Sequence, residues 1–387
     1  MTDGLFELST CRKLTRNRYG EFILQRRSFI VSGVVLGMLA DQLHAENTQA
    51  RFEAAVGVLA DAVEQGQVHA ATLVARLSGQ VFQRAFGKAA LDSPFLLGSI
   101  SKPICMAALM TLFDQKMFGL DDPVHKFLPE FRDEGRQQVT VRHLLTHVSG
   151  LPDQLPNNSE LRRGHAPLSD FVKAATRVPL AFAPGSKYEY SSMGILLAAE
   201  IAQRLSQTSL LPLVQHSVLD PLGMSRSALG VGRLPLAELI PVQIEHAAVE
   251  AGGGDPTAKN WDWNSRYWRE LGAPWGGVHA SAGDILKFLD AFALPEGKLV
   301  APDTARLMIQ NHNTHLLVPR GLGFALGPLT ICTGCSSNTF GHTGSTGTLA
   351  WCDPQTRDAC VVLTSLPGQA LKPHPRDLAS HCLTAAG

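Results

Sequence analysis

The strand signals in this chain sit toward its two ends, with the helix signals mostly between them. Ala71 to Leu77 and Val81 to Phe86 are apolar runs separated by Ser78-Gly79-Gln80, the pattern of a β-hairpin. Just before them, Arg51 to Gln65 carries apolar residues at helical spacing. A long helical and loop-rich stretch follows, and strand-like segments return after about residue 320. Strands segregated from helices in this way point to an α+β fold.

The chemistry is concentrated in Ser99-Ile100-Ser101-Lys102, which places a hydroxyl and an amine three residues apart at the start of an apolar run. On a helix the two side chains share a face, roughly 4.5 Å apart along the axis, so a desolvated, neutral lysine can take the serine proton. Pro103 comes early, where a missing N–H costs little, and Ile104 to Leu112 continue without Gly or Pro. The serine is therefore expected at a helix N-terminus, whose dipole favours developing negative charge. Taken alone the pair is uninformative, because Ser and Lys one turn apart recur by chance and are usually solvated. Two further segments change that. Tyr188-Glu189-Tyr190-Ser191-Ser192-Met193-Gly194 follows the turn Ala183-Pro184-Gly185-Ser186 and precedes the apolar helix Ile195 to Leu205. Phe340-Gly341-His342-Thr343-Gly344-Ser345-Thr346-Gly347 runs into the strand Thr348-Leu349-Ala350-Trp351 and a hairpin around Asp353-Pro354.

In this order the three segments resemble the serine β-lactamase and penicillin-binding-protein superfamily, in the branch of class C β-lactamases, family VIII carboxylesterases and D-amino-acid-directed peptidases. S-x-x-K is Ser99 to Lys102, the Y-x-N element looks like Tyr190-Ser191-Ser192, and K-T-G looks like His342-Thr343-Gly344. Thr140 to Pro152 and Gly321-Leu322-Gly323-Phe324 also read as this branch, so the resemblance covers about residues 50 to 385. It implies a β-lactamase/transpeptidase-like fold, an antiparallel sheet flanked by helices with an inserted helical domain. A leader would occupy 1–47 and a catalytic domain 48–387, with sheet parts at about 48–98 and 276–387 and the helical part at about 99–275.

The resemblance further implies covalent acyl transfer without a cofactor or metal. Ser99 would attack an ester or amide carbonyl, with Lys102 and Tyr190 sharing the proton handling and either able to be the base. The backbone N–H groups of Ser99 and Ser345 would form the oxyanion hole. Ser192, His342, Thr343 and Gly344 would line the substrate pocket, and Tyr190 would activate the deacylating water. Two positions depart from the pattern: Ser192 replaces an asparagine and His342 a lysine. A neutral imidazole gives no fixed charge for a substrate carboxylate, so anionic β-lactams are disfavoured while acyl transfer is untouched.

Three functions follow, of which an exported serine hydrolase acting on small esters or amides, esters preferred, leads. A β-lactamase or D-amino-acid peptidase would need a cation from elsewhere, such as protonated His342 or Arg357. An inactive binding domain on the same fold is disfavoured by the intact Ser99, Lys102 and Tyr190.

Trp261, Trp263, Tyr267, Trp268 and Trp275 form an aromatic cluster that either packs an insertion against the core or walls an apolar acyl pocket. Trp275-Gly276-Gly277 favours the pocket, since some family VIII esterases carry a W-x-G element. In 387 residues, 34 basic side chains balance 34 acidic ones, which leaves no basic patch for nucleic acid. Arg26-Arg27-Ser28-Phe29, the apolar run Phe29 to Leu39 and Leu43-His44-Ala45 look like a twin-arginine export signal with its cleavage site, predicting a periplasmic or extracellular protein. That run is short of the about 20 residues a membrane span needs.

Cys332, Cys335, Cys352 and Cys360 flank the third segment, where a disulfide would brace the strand. A zinc site is a weaker alternative, and Cys105 reads as a small buried hydrophobe. His143 and His147 have a ligand-like i, i+4 spacing on an expected helix capped by Thr140, but no third ligand is evident.

Overall fold

The computed structural model describes residues 29–384 except 134 and 332, with side chains from residue 47 onward. The chain divides into two units, Met1–Gln49 and Ala50–Gly387. Arg26 and Arg27 of the expected export signal lie outside the described residues. Among those residues no helix is long and apolar enough to cross a membrane.

The principal helices are α1 (Phe29–Glu64, of which residues from 50 belong to the second unit), α2 (Ser101–Asp114), α3 (Val141–Leu145), α4 (Ser192–Ser206), α5 (Ala282–Ala293) and α6 (Pro375–Thr384). The strands are β1 (Ala70–Leu77), β2 (Gln80–Gly87), β3 (Phe95–Leu96), β4 (Ser227–Leu229), β5 (Val278–Ala280), β6 (Ala325–Leu326), β7 (Phe340–Gly344), β8 (Thr348–Cys352) and β9 (Ala359–Thr364). Six of them form one antiparallel sheet in the order β2-β1-β9-β8-β7-β6, and β3-β5-β4 form a second, smaller one. The first hairpin thus lies beside the last strand, and the helix-rich stretch is inserted between the two ends of the sheet. This is the α+β arrangement the sequence implies.

The period of two along each strand divides the sheet's side chains between two cores. Leu73, Leu349, Trp351 and Val362 share one core with Phe52 and Leu59 of α1 and Leu383 of α6. Val74, Ala350, Val361 and Leu363 point into the other, with Ile104 and Leu109 of α2 and Ile285 and Phe288 of α5. Because β1 is covered on both faces its eight residues are all buried, whereas the edge strand β2 is largely exposed. Helix α2 is apolar all round and is the buried centre of the second core, from Ser101 to Met110 without an exposed residue.

One expectation needs correction. His143 and His147 do not share a helix face, because α3 ends at Leu145 and His147 adopts a left-handed φ of 61°. The Thr140 cap does form: its hydroxyl accepts from the His143 N–H, and the Thr140 N–H donates back to His143 Nδ1. Of the four cysteines near the third segment, where a disulfide is expected, one is in such a bond. Cys335 is disulfide-bonded and 332 lies outside the described residues, while Cys352 and Cys360 are free. Cys352 faces Ala359 and Cys360 faces Trp351, so the register of β8 on β9 sends the two thiols to opposite cores. Cys105 is free and fully buried in α2. No group of three or more His, Cys, Asp or Glu among the described residues is placed to hold a metal.

Candidate active site

Ser99 lies in a single 3-10 turn, Gly98–Ile100, that leads directly into α2. This turn is pressed against the β7–β8 turn: a Cβ added at Gly98, where φ is +55°, would come within 3.0 Å of the Ser345 N. Only glycine supplies both the positive φ and the close approach. Two hydroxyls lock the junction, with Thr346 Oγ1 donating to the Leu96 carbonyl and Thr348 Oγ1 to the Leu97 carbonyl, each at 2.6 Å. Behind the turn, the buried Arg376 of α6 donates to the carbonyls of Gly344 and Thr348. The backbone N–H groups of Ser99 and Ser345 are thereby carried on two turns held in register.

Lys102 is in the first turn of α2 and 1% exposed, with its Nζ 3.0 Å from Ser99 Oγ and 2.9 Å from the Trp275 carbonyl oxygen. That carbonyl is brought in by the small sheet, where the Leu97 N–H donates to the Val278 carbonyl and the Val278 N–H to Ser101 Oγ. Burial lowers the lysine pKa to about 7; the carboxylate of Asp153 pulls it back up and the charge of Arg320 pushes it further down. The amine is therefore substantially neutral at physiological pH, as the spacing argument requires.

Tyr190 reaches the same point from the loop before α4, its ring centroid 4.7 Å from Lys102 Nζ. Burial pushes its phenol pKa up, and Ser99 and Arg320 counter this in part. The hydroxyl is buried without a full hydrogen bond among the described residues. Ser192, the first residue of α4, donates through Oγ to the Asp153 carboxylate at 2.6 Å, and its N–H donates to the same oxygen at 2.9 Å. Where the family pattern has an asparagine, this chain presents a serine–aspartate pair.

His342, Thr343 and Gly344 occupy β7. Strand β6 pairs only with Phe340 and Gly341, so the outer edge of residues 342–344 is left uncovered by β6. Nδ1 of His342 contacts the Thr343 carbonyl at 2.7 Å and so carries the proton, which leaves Nε2 as a buried acceptor without a partner among the described residues. Burial, with Arg320 and Lys102 acting the same way, holds its pKa well below the ordinary imidazole value. Burial and the neighbouring cations thus disfavour a protonated His342 as the substitute cation. Arg357 is ruled out by position, since it lies in the β8–β9 turn beyond Cys352, at the opposite end of β8 from the Thr348–Gly344 pair.

Trp275 touches the site through its carbonyl. Its ring is 5% exposed and packs against Phe171 and Trp268, at centroid distances of 5.8 and 6.2 Å. Trp261, Trp263 and Trp268 are likewise buried, and Tyr267 donates to the Ala166 carbonyl at 2.9 Å. The cluster is packed among aromatic neighbours, and the contact Trp275 makes with Lys102 is through its backbone carbonyl.

Three side chains beside Tyr190 carry no motif. His147 is fully buried with its ring centroid 4.6 Å from that of Tyr190, and its Nδ1 accepts from the Ser191 N–H at 3.2 Å. Asp153 holds Ser192, as above. Arg320 lies with its Cζ 5.5 Å from the Tyr190 ring centroid and 5.3 Å from that of Tyr188. Arg320 directly precedes the Gly321-Leu322-Gly323 stretch, but nothing local to it in sequence signals a place in the site.

Comparison with known proteins gives the family and the fold. Residues 52–381 match the β-lactamase family model. The chain is 33% identical over 202 residues to Esterase EstB of Burkholderia gladioli, covering 48% of this chain and 50% of that protein, so it spans half the length of this relative. It is 26% identical to a putative D-alanyl-D-alanine carboxypeptidase of Salmonella agona, over 72% of this chain and 71% of that one. Among solved structures, the D-amino acid amidase of Ochrobactrum anthropi SV3 superposes with a TM-score of 0.71 at 22% identity, covering 86% of this chain and 99% of the amidase. With its sheet, its inserted helices and its family model matched from residue 52 to 381, the chain belongs to the β-lactamase family of serine hydrolases.

Proposed function

We propose that this protein is an exported serine hydrolase that cleaves small esters, and secondarily amides, through an acyl-enzyme at Ser99. The observation that carries the reading is the 3.0 Å contact between Ser99 Oγ and a buried Lys102 amine. A neutral amine at that distance accepts the serine proton as Oγ attacks the carbonyl. The N–H groups of Ser99 and Ser345 hold the oxyanion, and Lys102 returns the proton to the departing alcohol or amine. With the Tyr190 phenol pushed up in pKa by burial, Lys102 is the better base for acylation, and Tyr190 is kept for guiding the proton of the deacylating water. The neutral His342 suits an uncharged substrate, as the likeness to Esterase EstB also does. Export rests on the Arg26-Arg27 leader pattern alone.

A second reading, an amidase or peptidase for D-amino-acid substrates, is supported by Asp153, a half-buried carboxylate beside Ser192 that could take a substrate ammonium group. The test is hydrolysis of p-nitrophenyl butyrate, a D-amino-acid amide and a chromogenic cephalosporin in parallel, with Ser99→Ala as the blank. Ester turnover abolished in S99A, at an unchanged melting temperature, is the expected result. Undiminished turnover in S99A would sink the mechanism, and faster amide than ester turnover would establish the second reading.

A further inference from the structure

Arg320 is 6% exposed, and its Nη2 donates to the Tyr188 hydroxyl, a phenol where a buried guanidinium would ordinarily meet a carboxylate. Its Nε and Nη1 are buried without a partner among the described residues. What it does have is two aromatic faces, those of Tyr188 and Tyr190, close enough for cation–π attraction. Leaving a permanent cation so poorly paired is costly unless its field serves the groups around it.

Those groups converge from several elements. Lys102 comes from α2, His147 from just beyond α3, Asp153 from the loop that follows, Tyr188 and Tyr190 from the approach to α4, and His342 from β7. Arg320 acts electrostatically on Lys102, His147, His342 and both tyrosines, while Asp153 opposes it at Lys102, Tyr188 and Tyr190. The family pattern puts a lysine at the position of His342, and here that position is neutral.

We infer that Arg320 is a positioning residue of the Ser99 site, supplying from beside Tyr190 the second positive charge that position 342 no longer supplies. Its charge disfavours a proton on Lys102, which keeps the amine ready to accept the Ser99 proton, and favours negative charge on Tyr190 as water is deprotonated. The charge has moved relative to the family pattern, and it acts on the proton-transfer pair from beside the tyrosines. The inference rests on the proposed Ser99 chemistry.

The experiment compares wild type with Arg320→Gln, Arg320→Met and Arg320→Lys by two readouts between about pH 5 and pH 9. One is the rate of Ser99 labelling by a fluorophosphonate, which needs an activated serine but no particular substrate. The other is kcat/KM on p-nitrophenyl butyrate. Removing the cation raises the lysine pKa, so the acidic limb of both profiles moves up by about one unit in the Gln and Met variants, and Lys restores it. Two neutral variants are used so that misfolding of one leaves the other to decide. An unmoved limb in a folded neutral variant, or a limb that moves equally in R320K, overturns the inference. Wild-type labelling without ester turnover overturns only the ester preference, whereas absence of Ser99 labelling overturns both readings.

Discussion

Lys102 and His342 flank Tyr190 as two buried nitrogen bases, and burial drives both pKa values down, to different ends. The lysine starts near 10.5 and arrives at about 7, so desolvation turns an inert ammonium into a usable base. The histidine starts at 6.5 and ends well below it, so the same penalty makes it neutral across the working range. One low-dielectric pocket therefore gives a base on its helix side and a neutral hydrogen-bonding surface on its strand side. The lesson is that the starting pKa of a residue decides what burial does with it. A lysine at 342, as in the family pattern, would feel the same pocket as a second titrating group.

The largest test of this contrast is Lys102→Met, which keeps the volume and removes the base. It should lower kcat/KM on the preferred ester by about 10²–10⁴ without loss of fold, read by steady-state kinetics and circular dichroism. A smaller effect is expected from His342→Lys, which returns a cation to the strand side. A charge-assisted bond to a substrate carboxylate is worth about 1.5–3 kcal/mol, so KM for an anionic cephalosporin should fall by roughly tenfold to a hundredfold. An unchanged KM would mean that the strand side does not meet that carboxylate.

Thermal unfolding against pH gives the third test. The folded-state lysine pKa is depressed, so between about 7 and 10.5 the unfolded chain binds the extra proton and Lys102 makes stability rise with pH. The Met variant lacks this dependence. It should melt a few degrees above wild type at pH 7 and below, with the gap closing as pH approaches 10. The smallest effect is a null one: His342→Ala should leave the acidic limb of kcat/KM where it is, because the imidazole does not titrate there. A moved limb would show that the histidine shares the proton with Lys102.

What was readable in the sequence and what was not divide along the same physical line. Ser99 and Lys102 were readable because one helical turn fixes their separation. Tyr190 and His342 were readable through the resemblance of their segments to the family's Y-x-N and K-T-G elements. The contact of Trp275 with Lys102 was not readable: a sequence advertises side chains, and the atom that reaches Lys102 is a carbonyl oxygen. His147 looked like the second member of a helical pair, but a left-handed φ two residues past the end of α3 turns it toward Tyr190. Asp153 and Arg320 have no local pattern at all, since their places are set by how loops of distant sequence fold over the tyrosines. That both ends of the chain share one sheet was legible only through the family resemblance, because pairing of strands nearly 300 residues apart leaves no periodic trace.

That pairing has a consequence for the order in which the protein comes into being. Strand β1 is made nearly 300 residues before its inner neighbour β9, with Ala71 opposite Thr364, and the turn carrying Ser345 is backed by Arg376 of α6. A nascent chain that has already made Ser99, Lys102 and Tyr190 still lacks the strand that closes the sheet and the arginine that steadies the oxyanion turn. Contacts this distant form late, after the longest loop has closed. On the proposed mechanism, hydrolytic competence is thus withheld until residue 376 has been made, and a product cut short before it should be inert despite carrying Ser99, Lys102 and Tyr190.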